Sequence, residues 1–446
     1  MTDARDASCC PTVEIALADF LQKAVRPLRL LVALSGGSDS TGLLIGLHNA
    51  VKAASALPFP VSLAAATVDH GLRAASAQEA RQAADLCRSL GIDHSIMVWE
   101  GAKPQTGVSA AARAARYRLL SEAAAAAGAD AIVTGHTADD QAETIEMRRR
   151  RQSNPTAPGL SGMADAVLYR NRVWIYRPFL TLRRDTIRTY LSSRNYGWVD
   201  DPSNSNPAYE RAQLRLTGVE PATADGQARH RLSQIAAELI RNHIRPIAPG
   251  LILLHPGMGC DSLDQDTAPA HIHAISRLTA CLGGRPHGPG REQMTALLSL
   301  FKAAPGARLT VGRCLAHRHR DGLLLLREDR NLPRLELDPG STILWDGRFE
   351  ITNRSEKAVT VGAAAETRPA ARKGDEPSLL ERALRTQPHI HPHMPTATLE
   401  IKPIIAPYHD FLPGFERQLA MAFCDLFAAP PLKPGCFTGD STEKKP

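Results

Sequence analysis

The fold is decided by residues 28–40, which read LRLLVALSGGSDS. The first part, LRLLVAL, is a short apolar run typical of a strand buried on both faces, and a helical pattern follows over residues 41–51. Gly36 and Gly37 lack the Cβ atoms that would block the backbone, so amide N–H groups can converge on phosphate oxygens. The helix adds its positive N-terminal end to the same anion. The stretch predicts a phosphate-binding loop between a strand and a helix.

The polar side chains of this loop refine that prediction. Ser35, Ser38 and Ser40 supply hydroxyl donors, whereas the carboxylate of Asp39 fits beside phosphates when a cation such as Mg²⁺ lies between them. A Walker A loop would need Gly-Lys-Ser/Thr and a dinucleotide fingerprint would need G-x-G-x-x-G, and the loop has neither. S-G-G-x-D-S after a strand resembles the PP-loop ATP-pyrophosphatases. These enzymes split ATP between its α- and β-phosphates and pass AMP to an oxygen.

Strand and helix patterns alternate from residue 28 to about residue 135. Further strands are predicted at residues 61–68, 92–99 and 131–134, and helices at residues 76–90, closed by Gly91, and 109–127. This alternation predicts parallel βαβ units with right-handed crossovers. The predicted fold is α/β, a doubly wound parallel sheet that binds ligands at the carboxyl ends of its strands.

The length of 446 residues exceeds what one hydrophobic core usually organises. The predicted division is an N-terminal extension (1–24), an α/β catalytic domain (25–208), a mainly helical domain (209–333) and a smaller C-terminal domain with β-strands and flexible segments (334–446). The tract PHIHPHMP at residues 388–395 is interpreted as a flexible linker. Metal binding by His389, His391 and His393 is the alternative.

Charge and composition narrow the class of protein. The net charge of +7 suits a polyanionic partner such as nucleic acid, and it also favours solubility. The eight cysteines include no C-x-x-C pair, so zinc ribbons and iron–sulfur clusters find no template. No apolar run approaches the roughly 18–20 residues of a membrane span, and the acidic start MTDARDASCC lacks the apolar core of a secretory signal. We therefore expect a cytoplasmic protein without a membrane partner.

A polar segment, VDHGLR at residues 68–73, follows the second predicted strand. Polar side chains at the carboxyl end of a strand lie where this architecture binds the nucleoside. Asp69 is a candidate for the nucleotide, and Arg73 for phosphate or RNA. A plain polar turn is the alternative.

The segment GHTADDQAET at residues 135–144 follows the fourth strand. Thr137 is a natural N-cap with Asp140 three residues on. Helical spacing brings Asp139, Asp140 and Glu143 into one neighbourhood. Three carboxylates exceed what capping requires, so the segment predicts a binding or catalytic site.

The helix before this segment carries AARAARY at residues 111–117. Arg113 and Arg116 lie three residues apart, on one face. They are candidates for a substrate contact, with a solvated helix face as the alternative.

SGGSDS, VDHGLR, ARAARY and GHTADDQAET occur in this order and resemble the tRNA(Ile)-lysidine synthase family. Further landmarks are LSGM (160–163), YRPF (176–179) and DPSN (201–204), and WDGRF (345–349) is similar to a C-terminal family segment. The resemblance covers residues 25–216 well. It implies that ATP adenylates the C2 oxygen of the wobble cytidine in a CAU-anticodon isoleucine tRNA. L-lysine then displaces AMP to give lysidine, which changes the codon read from AUG to AUA.

The resemblance also implies residue roles. ATP would be bound by Ser35, Gly36, Gly37, Ser38, Asp39, Ser40, Asp69 and His136, with Asp39 as the Mg²⁺ ligand. Lysine would be bound by Asp140 and Glu143 together with Arg211 or Arg215. The catalytic set would be Asp39, Asp140, Glu143 and Arg116, with Arg116 steadying phosphate charge, and Arg73, Arg113 and Arg148 would face RNA. The middle domain would grip the tRNA.

Two departures and two alternatives accompany this interpretation. The family usually has Arg-Gly-x-Gly where residues 148–154 read RRRRQSN, and Arg-Asn where Arg211 is followed by Ala212. A tRNA thiolase of the same class needs paired cysteines, but Cys87 alone lies near the site, in the middle of a helix. A non-catalytic RNA- or nucleotide-binding protein could dispense with the carboxylates. The assembly is left open between a monomer and a homodimer.

Overall fold

A computed structural model describes most of the chain. The described residues are 12–53, 57–73, 75–151, 162–200, 213–214, 226–259, 268–364, 378–392 and 398–438. The chain forms two compact units, one made of residues 1–226 and 433–446 and the other of residues 227–432. The predicted domain bounds remain a prediction.

Six strands of the N-terminal unit form one sheet. They are β1 (Leu28–Ala33), β2 (Val61–Asp69), β3 (Asp93–Val98), β4 (Ala131–Val133), β5 (Ala166–Tyr169) and β6 (Val173–Tyr176). Their order is β5-β6-β4-β1-β2-β3, and every neighbouring pair is parallel except β5 with β6. The doubly wound α/β fold predicted from the sequence is confirmed.

Helices connect these strands. They are α1 (Val13–Gln22), α2 (Ser38–Lys52), α3 (Ser76–Leu90), α4 (Val108–Ala126), α5 (Ala138–Arg151) and α6 (Arg184–Ser192). The bounds of α3 match the prediction, and Gly91 closes it with φ +69° in the left-handed region. Helix α6 packs closely on α2, because a Cβ added to Gly42 would lie only 2.3 Å from Cγ2 of Ile187.

The strand order defines where the sheet binds ligands. After β1 the chain passes to β2 on one side, whereas β4 lies on the other side of β1. The connections from β1 and β4 therefore diverge, and this switch point leaves a crevice at their carboxyl ends. The phosphate loop follows β1, and the GHTADDQAET segment follows β4. The two strongest sequence signals meet at this crevice.

The N-terminal unit is completed by residues from the far end of the chain. The indole Nε1 of Trp174 donates to the carbonyls of Lys433 and Pro434, at 3.1 and 3.0 Å. The backbone N–H of Cys436 donates to the hydroxyl of Tyr176 at 3.1 Å, and the ring of Phe437 lies 4.7 Å from that of Tyr176. Residues 433–438 thus cover one end of the sheet.

The second unit contains shorter elements. Its helices, the first of which starts at the boundary residue, are α7 (Gly226–His243), α8 (Ala268–Gly283), α9 (Arg291–Ser299), α10 (Leu379–Arg385) and α11 (Arg417–Phe427), with 3-10 turns at Pro256–Met258, Leu300–Lys302, Ala406–Tyr408 and Gly414–Glu416. Its strands are β7 (Ile244–Ala248), β8 (Leu251–Leu254), β9 (Arg308–Val311), β10 (Cys314–His319), β11 (Gly322–Arg327), β12 (Leu335–Leu337), β13 (Thr342–Trp345), β14 (Phe349–Asn353), β15 (Val359–Ala363), β16 (Pro388–His391), β17 (Leu399–Pro403) and β18 (Phe411–Pro413). Strands β7-β8-β11-β10-β9 form an antiparallel sheet, and β12-β15-β16 and β13-β14-β17 form two smaller sheets. The middle segment was predicted to be mainly helical. Its described residues therefore also include five strands, β7 to β11.

The WDGRF segment forms the hairpin turn between β13 and β14. Asp346 and Gly347 both have positive φ, +53° and +69°. The Asp346 carboxylate accepts hydrogen bonds from Arg313, Arg327 and Arg348, with its contact to Arg348 Nε at 2.7 Å. Because the carboxylate is buried against three cations, this landmark anchors the hairpin within the second unit.

Two expectations that came from composition can be compared with the structure. Part of the presumed linker PHIHPHMP is structured, since Pro388–His391 pair with β15 as strand β16. The proline-rich composition hid this strand, which is stabilised by its partner rather than by its own propensity. Within the described part of the chain, no helix is long and apolar enough to cross a membrane.

Candidate active site

The phosphate loop has the backbone that its sequence predicts. Gly36 lies in the left-handed region with φ +82°, and among the described residues no side chain caps the N-terminus of α2. The hydroxyl of Ser40 accepts a hydrogen bond from Ser35 N at 3.1 Å and lies 3.2 Å from the Gly37 carbonyl. Ser40 thereby fixes the shape of the loop and leaves the first amides of α2 for an anion.

Gly135, two residues after β4, brings the second sequence signal against this loop. A Cβ at Gly135 would lie 2.6 Å from the Asp39 carbonyl oxygen and 3.0 Å from Ser40 N. Only glycine permits so close an approach of two backbones. The carboxylate helix α5 therefore starts directly beside the start of α2.

Gly135→Ala is expected to destabilise the protein by about 2 kcal/mol, because neither backbone can move without disturbing the loop. Urea unfolding followed by tryptophan fluorescence measures this change. The matched control is Gly197→Ala, where an added Cβ has no described heavy atom within 4 Å. Equal stability of the two variants would contradict the packing argument.

Helix α5 begins with the predicted cap. The Asp140 carboxylate accepts hydrogen bonds from the Thr137 N–H at 2.9 Å and from the Thr137 hydroxyl at 3.0 Å. The Asp140 N–H points back at the Thr137 hydroxyl at 3.4 Å. These reciprocal hydrogen bonds fix Oδ2 of Asp140. The other oxygen, Oδ1, does not take part in the cap.

That second oxygen meets Arg184, a residue that the sequence analysis missed. The Arg184 guanidinium contacts Asp39 Oδ2 through Nε at 2.9 Å, Asp140 Oδ1 through Nη2 at 3.2 Å and Glu143 Oε1 through Nη1 at 4.0 Å. The predicted Mg²⁺ ligand and the two predicted lysine ligands thus surround one cation. Residues 182–195 have helical periodicity, but nothing in the sequence marks Arg184 as a site residue.

The pKa values follow from this arrangement. Burial raises the pKa of Asp39 above its ordinary value, although Arg184 opposes the shift. Burial also favours the neutral form of Asp140, but Arg184 and the Thr137 hydrogen bonds outweigh it and hold the pKa of Asp140 below its usual value. Burial disfavours the charge on Arg184, and the carboxylates of Asp39 and Asp140 more than compensate, so its pKa is raised. Arg184 stays charged, and Asp140 is ionised at neutral pH.

Two histidines border the crevice. His136 Nδ1 lies 2.9 Å from the Thr134 hydroxyl, and burial, followed by the charge of Arg177, lowers the pKa of His136 to about 3. Burial and the charge of Arg116 lower the pKa of His70 to about 4. Both imidazoles are neutral at pH 7 and can donate or accept one hydrogen bond.

The low pKa of His136 predicts a pH-dependent stability. The unfolded chain binds a proton at this histidine below about pH 6.5 and the folded chain does not until about pH 3, so stability falls as pH drops between these values. We expect a loss of about 1–2 kcal/mol from this group between pH 7 and pH 5. Urea titrations at both pH values should show a smaller loss in His136→Asn. The exposed His287→Asn control should match the wild type, and a wild-type-like loss in His136→Asn would contradict the assignment.

Two of the arginines of α4, the predicted Arg113 and Arg116, are exposed near this edge. Arg113 lies over the Tyr117 ring, 4.9 Å from its centroid. Burial disfavours ionisation of Tyr117, but the charges of Arg177, Arg113 and Arg116 outweigh it and lower the pKa of Tyr117. Arg116 also lowers the pKa of His136. Positive charge is therefore concentrated beside the crevice.

The other predicted RNA contacts already have protein partners. Arg73 pairs with Glu79 at 2.8 Å. Arg148 donates to the Gly162 carbonyl at 2.7 Å, and burial lowers its pKa. Because Gly162 belongs to the LSGM landmark, Arg148 holds that landmark against α5.

The departure RRRRQSN begins inside α5 rather than in a loop. Arg149 and Arg150 both pair with Glu146, at 3.3 and 3.0 Å, and residues 152–154 lie outside the described residues. The four arginines of residues 148–151 are favourable at the negative end of a helix dipole.

Several predicted ligands are accounted for in other ways. Asp69 ends β2, and its carboxylate accepts a hydrogen bond from Gly71 N at 2.8 Å. Arg211 and Arg215 lie outside the described residues. Among the described residues no three acidic, histidine or cysteine side chains lie close enough to hold a metal by themselves. Cys87 is buried in α3, and burial raises the pKa of its thiol to about 12.

Comparison with known proteins gives consistent matches. The model of the PP-loop domain family matches residues 10–220. A protein of Rhizobium meliloti (strain 1021) named tRNA(Ile)-lysidine synthase is 40% identical over 93% of this chain and 96% of its own length. A Mesorhizobium japonicum protein of the same name is 39% identical over 95% of this chain and 96% of its own.

Among solved structures, the U34-tRNA thiolase NcsA from Methanococcus maripaludis, with its 4Fe-4S cluster, is similar over 46% of this chain and 70% of that chain. The sequence identity is 16% and the TM-score 0.37, too low to carry an argument about activity.

Proposed function

The chain belongs to the tRNA(Ile)-lysidine synthase family, and from this we propose that it uses ATP to join lysine to C2 of the wobble cytidine in the CAU-anticodon isoleucine tRNA. The RNA oxygen is first adenylated, and AMP and pyrophosphate are released. The observation that carries this proposal is the meeting of the phosphate-loop carboxylate Asp39 and the α5 carboxylates Asp140 and Glu143 around one guanidinium. One pocket thus has a nucleotide side and a side suited to a cationic substrate.

The nucleotide side is built by the loop between β1 and α2. The backbone amides at Gly36, Gly37 and the start of α2 are proposed to bind the triphosphate, and the α2 dipole favours its charge. Neutral His136 would serve as an uncharged hydrogen-bonding partner of the nucleotide. Because the amides are fixed by the fold, they can stabilise charge that develops when the α–β bond breaks.

Mg²⁺ fits this side of the pocket. Its hard charge prefers oxygen ligands, usually one or two carboxylates together with substrate phosphates. Asp39, at the N-terminus of α2, is the carboxylate placed beside the proposed phosphates, with Asp140 contacting the same guanidinium. When bound there, the ion would neutralise phosphate charge.

The lysine side is built by α5. Asp140 is ionised and Glu143 has a side chain only 4% exposed, so both are suited to hold an ammonium group away from water. The ε-amine must lose its proton before it attacks C2, and a carboxylate of this pair is a suitable acceptor. Adenylation turns the C2 oxygen into a good leaving group and so divides one hard displacement into two steps.

The RNA is proposed to approach over α4. Arg113 and Arg116 are exposed beside the crevice, and Arg116 is close enough to lower the pKa of both His70 and His136. Arg116 is our candidate for steadying the phosphate charge, and the wobble base would be splayed from its stack into the pocket. Because phosphate contacts release counterions, tRNA affinity should fall steeply with salt.

The thiolase alternative finds less support. Each free cysteine in the described part of the chain is buried, and Cys87, the one closest in sequence to the site, has a thiol with a strongly raised pKa. A thiolate nucleophile needs the opposite shift. A purely binding protein would have no need for the buried carboxylates Asp140 and Glu143 and the partly buried Asp39 around one cation, because burying such charges costs free energy.

The test is incubation of the full chain with ATP, labelled lysine and the CAU isoleucine tRNA. We expect label in the RNA, together with AMP in equal amount. The control is the same tRNA with uridine at the wobble position, which should accept no label. AMP release without lysine incorporation, or equal label in both RNAs, would contradict the proposal.

A further inference from the structure

We propose that Arg184 is a resident cation of the pocket, a positioning residue that competes with substrate lysine for Asp140 and Glu143. This inference rests on the proposed function and deepens it. It concerns how the lysine side keeps its shape without substrate and what substrate must displace.

The contacts of the guanidinium are graded. It is closest to Asp39 at 2.9 Å, further from Asp140 at 3.2 Å and furthest from Glu143 at 4.0 Å. The Arg184 side chain is 18% exposed and that of Asp140 11%, so water screens these charges weakly. The planar fork of arginine suits several carboxylates at once.

The main chain of Arg184 is held in place by the contacts of α6. Its N–H donates to Asp139 Oδ2 at 2.8 Å, which ties the start of α6 to α5. One turn later Ile187 packs against Gly42 of α2. Any displacement of the guanidinium must therefore come from its own torsion angles rather than from movement of α6.

The position of the guanidinium, and not the net charge, is the reason why lysine must displace it. With all four groups ionised the cluster carries a net charge of −2, which by itself attracts a further cation. A lysine ammonium needs the Asp140 and Glu143 oxygens that face the guanidinium, and two cations at one carboxylate pair repel each other. The Glu143 end is the loosest contact, so lysine should enter there while Nε stays on Asp39.

Competition between Arg184 and lysine predicts the direction in which lysine affinity changes when Arg184 is removed. Removing the resident cation should tighten lysine binding, whereas removing a group that merely orders the carboxylates should weaken it. The test is calorimetric titration of lysine into the full chain without ATP. We expect the lysine Kd of Arg184→Gln to fall on the order of fivefold relative to the wild type.

The matched control is Arg183→Gln, which removes the same charge one residue away. Arg183 is half-exposed and contacts Asp139 at 3.5 Å, outside the carboxylate cluster. Its lysine Kd should equal that of the wild type. An unchanged or higher Kd in Arg184→Gln would overturn the proposal.

A second variant covers the case in which Arg184→Gln does not fold. Arg184→Lys keeps the charge but loses the fork, so it should reach fewer of the three carboxylates and shift the Kd downward by about twofold. No downward shift in that variant would overturn the proposal.

Titration of Mg²⁺ alone separates this inference from the proposed function. If neither the wild type nor any variant binds lysine, the proposed amino-acid substrate is wrong. In that case the Mg²⁺ affinity tests the role of Arg184. We expect Mg²⁺ to bind the Arg184→Gln variant more tightly than the Arg183→Gln variant. Equal Mg²⁺ affinities would overturn the role of Arg184 independently of lysine.

Discussion

Asp39→Asn is expected to reduce tRNA-dependent pyrophosphate release by about 10²- to 10³-fold, and Asp39→Ala to abolish it. The carboxylate lies in the first turn of α2, beside the amides proposed to bind the triphosphate, and faces Arg184 at 2.9 Å. Both substitutions remove the charge that would hold Mg²⁺ at the phosphates. Pyrophosphate release under single-turnover conditions measures the effect.

A matched control separates this role from general charge loss. Asp19 is an exposed aspartate on α1, and Asp19→Asn should keep wild-type rates. Thermal melting of the Asp39 variants checks that the loop still folds, because Arg184 loses its closest partner. Wild-type AMP formation in a folded Asp39→Ala protein would refute the role.

Glu143→Gln is expected to raise the KM for lysine by roughly tenfold to a hundredfold, the cost of losing a charged hydrogen-bond partner. The KM for ATP should change little, because Glu143 lies on α5 and not in the phosphate loop. Initial rates at varied lysine and fixed saturating ATP, and the reverse, measure both constants.

Glu146 provides the control for Glu143. It lies one turn further along α5 and pairs with Arg149 and Arg150 near the surface. Glu146→Gln should leave both Michaelis constants unchanged. Equal increases of the two constants in Glu143→Gln would count against a lysine pocket on α5.

The parts of the fold that sequence predicted are those with local signals. Strand β1, helix α2 and the start of α5 are marked by an apolar run, paired glycines and a threonine cap, and each depends on residues close in the chain. The hairpin of β5 and β6 was not among the predicted elements. Its turn uses Arg170 and Asn171 at φ +47° and +53° instead of the Asn-Gly that signals such turns.

The residues of the candidate site also divide into those that the sequence predicted and those that only packing reveals. Asp39, Asp140 and Glu143 stand in motifs and were predicted, whereas Arg184 is 145 residues from Asp39 and belongs to no recognised pattern. Its position arises only when α6 docks on α2 and α5. Similarly, the run of positive charge made Arg148 a candidate for RNA, but only packing reveals that its guanidinium also holds the Gly162 carbonyl.

The position of residues 433–438 on the first-made sheet has a consequence for biosynthesis. Ribosomes make the nucleotide-binding sheet first, yet its last pieces, the carbonyls of Lys433 and Pro434 and the ring of Phe437, emerge after the whole second unit. During translation the surface around Trp174 and Tyr176 that these residues cover is therefore left uncovered for some two hundred codons, a window of about 10–40 seconds at ordinary elongation rates. A nascent chain stalled in that window would expose this aromatic surface to chaperones.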